Sequence, residues 1–340
     1  MSNGNTFFLH GRRPDPPSPR AAQDRGRGRR LIVVGWVLRV GGAVLGVGSI
    51  LMFQIVLRGI IAPSDPVLKL LSLLGCVLAL FAGWAALGLA HVRQRGGRQH
   101  TAEIIDSGTA AARSGHVLYL RPFDLDEVMS AMPYDLSGGG AGAHNILHFS
   151  GRTQEEDLVE RFRRCGPVIA IGRPGDELPK AGAQRMYVAD SEWQQTVSGL
   201  IDRARVVALS VGPGQGTMWE FVQCLRTLPP ERLVLLIYCE RKAYDDFRRA
   251  SADLCALPDF PPFARPHRPR WEVLMNSGRK RLLWDFTLKG LIVFGPDWQP
   301  RFVRFDPTPL RIPTVRSVRK LLKRGFEPVL DRLEKLPPRR

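Results

Sequence analysis

Two long apolar runs dominate the first hundred residues and constrain the fold more than any other feature. Leu31 to Leu57 is apolar apart from Arg39, Ser49 and Gln54, and Val67 to Ala90 is apolar apart from Lys69 and Ser72. At a rise of about 1.5 Å per residue, a helix over either run exceeds a hydrocarbon core of about 30 Å. Only Arg58 to Pro66 separates them, so they should form a helical hairpin (31–92). Leu70 to Ala90 has no polar face, as a helix on a soluble core would. Arg39 lies in the first third of its run, where its long stem can reach toward the headgroups.

Charge orients the hairpin. Seven arginines precede the first run (12, 13, 20, 25, 27, 29 and 30), Arg93, Arg95 and Arg98 follow the second, and the loop holds only Arg58. By the positive-inside bias both termini should be cytoplasmic, in a plasma (inner) membrane. Arg29-Arg30 before an apolar run is also the pattern of a twin-arginine export signal. No small-residue cleavage site follows and a second run comes at once, so a retained anchor is the better reading. Residues 1–30, rich in Arg, Pro, Gly and Ser, read as a disordered basic tail.

The net charge of +17 would suit a nucleic-acid partner, but it is unevenly divided. Residues 1–100 carry 13 basic and 3 acidic side chains, 101–260 carry 17 and 22, and 261–340 carry 19 and 7. The excess therefore flanks the apolar runs or sits in the C-terminal extension, and membrane lipids are the nearer anion. No specific nucleic-acid partner is expected. The five cysteines are widely spaced with no Cys-x-x-Cys, which suggests neither a disulfide framework nor zinc.

Beyond the hairpin, buried-strand runs alternate with amphipathic helices. Strands are expected at His116 to Leu120, Pro167 to Gly172, Met186 to Ala189, Val206 to Val211 and Leu233 to Tyr238. Thr153-Gln154-Glu155-Glu156 reads as a capping box opening one helix, Asp190-Ser191 caps a second, and a third starts at Thr217. This alternation predicts a doubly wound parallel α/β sheet over about 115–255. The basic extension, 256–340, offers further strands at Leu291 to Phe294 and Phe302 to Phe305. Its final helix, Thr314 to Leu336, should be broken or kinked at Gly325 and Pro328.

In such a sheet ligands bind outside the carboxyl ends of the strands. The loops leaving those ends bring Arg121, Asp124 and Asp126, then Arg173, Asp176 and Glu177, then Ser210 and the segment Thr217-Met218-Trp219-Glu220. Glu220, near a helix N-terminus, should stay ionised and suit a nucleophile or the stabilisation of an oxocarbenium-like centre. Thr217-x-x-Glu220 is equally a capping box that needs no substrate. The Gly-rich run Ser137 to Gly142 reads as a loop. His144 and His148 lack further ligands, so no metal site is expected. Trp193 and Trp219 read as packing residues.

The stretches VLYLRPFDLD (117–126), GPVIAIGRPGDELPKAGAQRMYV (166–188), DSEWQQ (190–195) and GTMWEF (216–221) resemble bacterial TIR-like domains, especially those anchored by two membrane helices. The resemblance covers 115–255 and implies a flavodoxin-like fold. It also implies homo-oligomerisation, a nucleotide ligand bound near Arg121, Asp124, Arg173, Ser210, Thr217 and Trp219, and NAD as substrate, with Glu220 cleaving the nicotinamide-ribose bond. Gly-Thr-x-Trp-Glu is also similar to the nucleophile segment of nucleoside deoxyribosyltransferases, which implies the same bond type. A catalytically silent signalling or assembly module of the same fold is the other reading.

Overall fold

A computed structural model describes residues 19–59, 65–106, 115–131, 152–264, 286–309, 315–337 and 339. Ser137 to Gly142, His144 and His148 lie outside these residues, as does most of the N-terminal tail. The chain divides into two compact units, a helix pair over 22–101 and an α/β unit.

The pair comprises α1 (Arg25–Leu57) and α2 (Pro66–Thr101), both long and apolar enough to cross a membrane. Helix α1 starts before its apolar run, so Arg25 to Arg30, expected in the disordered tail, are helical; Asp24 caps them by accepting from the Arg27 N–H. The helices pack through small residues. Gly28, Gly35, Gly42 and Ser49 are buried at a seven-residue spacing on α1, and Gly83, Ala90 and Gly97 repeat it on α2. A Cβ on Gly42 would lie 2.8 Å from the Gly83 carbonyl oxygen, so the backbones approach too closely for side chains. Val33, Trp36, Val44, Leu70 and Phe81 face outward. Arg39, expected to extend toward headgroups, is instead buried, with its guanidinium 5.8 Å from the Trp36 ring centroid.

The α/β unit is built on seven strands: β1 (Val117–Leu120), β2 (Val168–Ile171), β3 (Gln184–Met186), β4 (Val206–Ser210), β5 (Leu233–Ile237), β6 (Gly290–Phe294) and β7 (Pro300–Arg304). Their order is β3-β2-β1-β4-β5-β6-β7. The five strands within 115–255 are parallel, as expected there, whereas β6 and β7 of the extension are antiparallel to their neighbours, so the sheet as a whole is mixed. The turn 295–299 between β6 and β7 is too short for a parallel crossover, which makes that pair antiparallel. Strands β6 and β7 thus extend the same sheet beyond 255.

Helices cover both faces. Helices α5 (Trp193–Arg203), α6 (Gln215–Thr227) and α7 (Arg241–Ala250) pack Val197, Leu200, Phe221, Tyr244 and Phe247 on one face. Helices α4 (Gln154–Phe162) and α8 (Val315–Glu334) pack Leu158, Phe162, Phe326 and Leu330 on the other. A short helix, α3 (Asp126–Ser130), follows β1. The capping box at Thr153 is present: its hydroxyl accepts from the Glu156 N–H at 3.2 Å, and the Glu156 carboxylate accepts from the Thr153 N–H at 2.7 Å. The expected cap at Asp190-Ser191 is not, because α5 begins after Glu192, which makes no side-chain capping bond.

The expected break at Gly325 and Pro328 does not occur; α8 is continuous through both. Gly325 has a packing reason instead. A Cβ there would overlap the Phe305 ring, which stacks on Phe326 at 5.1 Å. All five cysteines are free thiols.

Candidate functional site

The parallel part of the sheet reverses direction between β1 and β4: the chain proceeds outward through β2 and β3 on one side, and through β5 on the other. Such a switch point opens a crevice at the carboxyl ends of the two strands. Here those ends carry Arg121 and Ser210, and the helix after β4 carries Glu220.

Arg121 is held on the α4 side. It is buried, pairs with Asp126, and lies 3.5 Å from Glu155. Glu155, 2% exposed, also pairs with Arg185 at 2.5 Å and accepts from the Ala183 N–H at 3.1 Å. Burial pushes the Glu155 carboxyl up, but the guanidiniums of Arg185 and Arg121 outweigh it and hold the group below its ordinary value. Ser210 lies beneath, donating to the Tyr119 hydroxyl at 3.4 Å. Burial raises the Tyr119 phenol, which therefore stays protonated.

Glu220 has the opposite environment. It is only 7% exposed, on the α6 side of the sheet, and burial pushes its carboxyl up to about 8, partly offset by the nearby charge of Arg121. The expected ionised cap is therefore corrected. Helix α6 starts at Gln215 behind the N-cap Gly214, which puts Thr217 inside the first turn and Glu220 in the second. The free N–H groups end before it, and no Thr217–Glu220 capping box forms. At pH 7 a carboxyl raised this way is held mainly in its protonated form and can donate a proton.

The other candidates are dispersed. Asp124 and Arg173 are exposed, the latter in a turn closed by the Asp176 N–H on its carbonyl at 3.2 Å, with Gly175 at φ 84°. Burial raises the Asp176 carboxyl. Thr217 is buried. Trp219 is half-buried against Trp193, ring centroids 4.8 Å apart, which agrees with the packing reading. The loops after β1 and β4 meet: a Cβ on Gly212 would lie 2.8 Å from Pro122 Cγ. A separate groove on the α4 and α8 face is lined by Gln154, Leu158, Arg161, Tyr238, Phe286 and Phe326, and none of the candidate residues borders it.

No protein-family model matches the chain. No curated protein or solved structure matches it either.

Two residues of the strand-end cluster escaped the sequence reading. Glu155 stands in the capping box beside the residue that caps, so its own role was hidden. Arg185, 1% exposed, stands just before the apolar residues Met186 to Ala189. The strand is Gln184–Met186, two residues earlier than the Met186 to Ala189 expected, and that shift is what brings Arg185 into the sheet, where its buried charge needs a carboxylate partner. Among the described residues no cluster of three His, Cys, Asp or Glu could hold a metal ion.

Proposed function

We propose that the chain is a membrane-anchored protein of the plasma (inner) membrane, with both termini cytoplasmic. Its α/β unit binds a nucleotide at the β1/β4 switch point and breaks an N-glycosidic bond with Glu220. The observation that carries this is the Glu220 carboxyl. Among the described residues it has no ion-pair partner, and it is buried at the edge where open α/β sheets bind ligands, an arrangement that is costly for stability and common in active sites. Setting aside the short edge strand β3, the order β2-β1-β4-β5 agrees with the flavodoxin-like pattern of the TIR-like resemblance.

The protonation state shapes the substrate class. A neutral purine or pyrimidine leaves more easily when a proton reaches its ring nitrogen, which Glu220 can supply as water adds to the sugar carbon. NAD is already a cationic pyridinium and needs no proton. Its own charge beside Glu220 would draw out the carboxylate that stabilises the oxocarbenium-like centre. The test is release of nicotinamide from NAD, and of free base from nucleotides, by the detergent-solubilised full chain and by Glu220→Gln. Release by the parent and its loss in the variant is the expected result; equal rates in both refute the assignment.

One observation favours a second reading, a silent assembly module that oligomerises through the 173–183 loop. Arg121 is neutralised by Asp126 and Glu155, and Pro122 closes on Gly212 across the mouth of the switch point. Absence of release from every nucleotide, with concentration-dependent self-association abolished by Arg173→Glu, would establish it.

A further inference from the structure

Helix α8 divides its charge along its length. Its inner face, with Leu322, Phe326, Val329, Leu330 and Leu333, is buried in the core. On the outer face the second half carries Glu327, Asp331 and Glu334, which lie 3.4, 2.6 and 3.7 Å from Arg164. The first half carries Arg319, Lys320, Lys323 and Arg324, all exposed. Among the described residues no carboxylate pairs with Lys320, Lys323 or Arg324, since the acidic groups of the helix are engaged with Arg164. Residues 320, 323 and 324 are spaced to share one side of the helix, where like charges repel. Folding gains nothing from this placement, but a flat anionic surface does.

The covalent link to α1 and α2 supplies such a surface. With an apolar anchor in the same chain, headgroups are present at high effective concentration, so weak contacts suffice. We propose that the stripe Lys320, Lys323 and Arg324 docks on the anionic phospholipid headgroups of the leaflet facing the α/β unit. This rests on the membrane-anchored reading and is independent of any chemistry at Glu220. Each basic residue near an anionic leaflet shifts a docking equilibrium by about fivefold, so three together bias it by roughly two orders of magnitude.

The test uses the full chain in nanodiscs of phosphatidylcholine, with and without phosphatidylglycerol. A brief pulse of an amine-acylating reagent is read by mass spectrometry at Lys320 and Lys323 against exposed Lys335 in the same chain. In anionic discs, acylation of Lys320 and Lys323 relative to Lys335 should slow by about three- to tenfold, a protection that roughly 0.5 M salt removes by screening. Arg324→Glu should shrink it. Equal ratios in both discs overturn the proposal. So does equal protection by polyuridylate in phosphatidylcholine discs, which would assign the stripe to nucleic acid. A chain that enters neither disc would overturn the anchored reading itself, whereas entry without differential protection would overturn only the docking.

Discussion

Replacing Glu220 by glutamine should change how stability depends on pH. In the folded protein burial raises the carboxyl from 4.5 to about 8, so the folded state binds its proton more tightly than the unfolded chain does. Between these two values the unfolded state has already lost a proton that the folded state keeps, so stability falls as pH rises. The stabilising share is fully present below the unfolded value and gone above about 8. A shift of this size corresponds to roughly 4 to 5 kcal/mol in full, of which about 3 kcal/mol is lost between pH 5 and 7.5. Glutamine keeps the shape and cannot ionise, so this component of the slope should vanish. At about 2 to 4 °C per kcal/mol for a unit of this size, the parent should lose roughly 6 to 12 °C of Tm relative to Glu220→Gln over that range. The assay is thermal unfolding of the detergent-solubilised full chain, followed by intrinsic fluorescence from pH 5 to 8.5. Parallel curves for parent and variant would refute the reasoning, because they would mean that Glu220 ionises at its ordinary value and is reached by water.

Glu155→Gln should act at every neutral pH, since it leaves Arg185 and Arg121 buried with less countercharge. The expected loss is about 3 to 5 kcal/mol by denaturant unfolding, and a loss below about 1 kcal/mol would contradict the geometry. Because its folded carboxyl is held below the ordinary value, the Glu155 contribution is present above that value and disappears as pH falls through the lower folded one, a sign opposite to that of Glu220. Gly325→Ala should cost about 1 to 3 kcal/mol by forcing Phe305 aside, and Phe305→Leu in the same chain should recover part of the Tm. In the helix pair, Gly42→Leu should lower the thermal stability of the detergent-solubilised protein by separating α1 from α2. Gly41→Leu, whose added Cβ meets nothing within 4 Å, should not.

The α/β alternation was legible because the buried strands are continuous apolar runs, and VVALS and LVLLI declare themselves without a partner. Register along a helix was not. The pattern Ser/Thr-x-x-Glu occurs at Thr153 and at Thr217, and only the first is a capping box. Which one forms depends on where the helix begins, and at α6 the extended backbone of Gly214 (φ −73°, ψ 147°) makes it the N-cap three residues before the Thr217 of the pattern. The antiparallel hairpin was half legible, as two runs whose direction followed only from the length of the turn. Gly325 and Pro328 misled because their local preference against helix is outweighed by burial of Leu322, Phe326, Val329 and Leu330 on one side of a continuous helix.

The two buried glutamates beside the switch point show how a sheet edge assigns roles to identical side chains. Glu155 meets two guanidiniums and a backbone N–H, so its charge is compensated and it organises structure: it fixes Arg121 at the end of β1 and ties Ala183 at the start of β3. Glu220, across the sheet, has only the distant field of Arg121, and that field is already divided among Asp126 and Glu155. Burial is what leaves Glu220 in its neutral form, and Arg121, compensated on the α4 side, offsets that burial only in part. If Arg121 were freed from Asp126, more of its charge would act on Glu220 and draw its pKa down. Asp126→Asn should accordingly shift the pH midpoint of the Glu220-dependent stability slope downward, while leaving that slope absent in the Glu220→Gln background. An unshifted midpoint would mean that the two sides of the sheet are electrostatically independent.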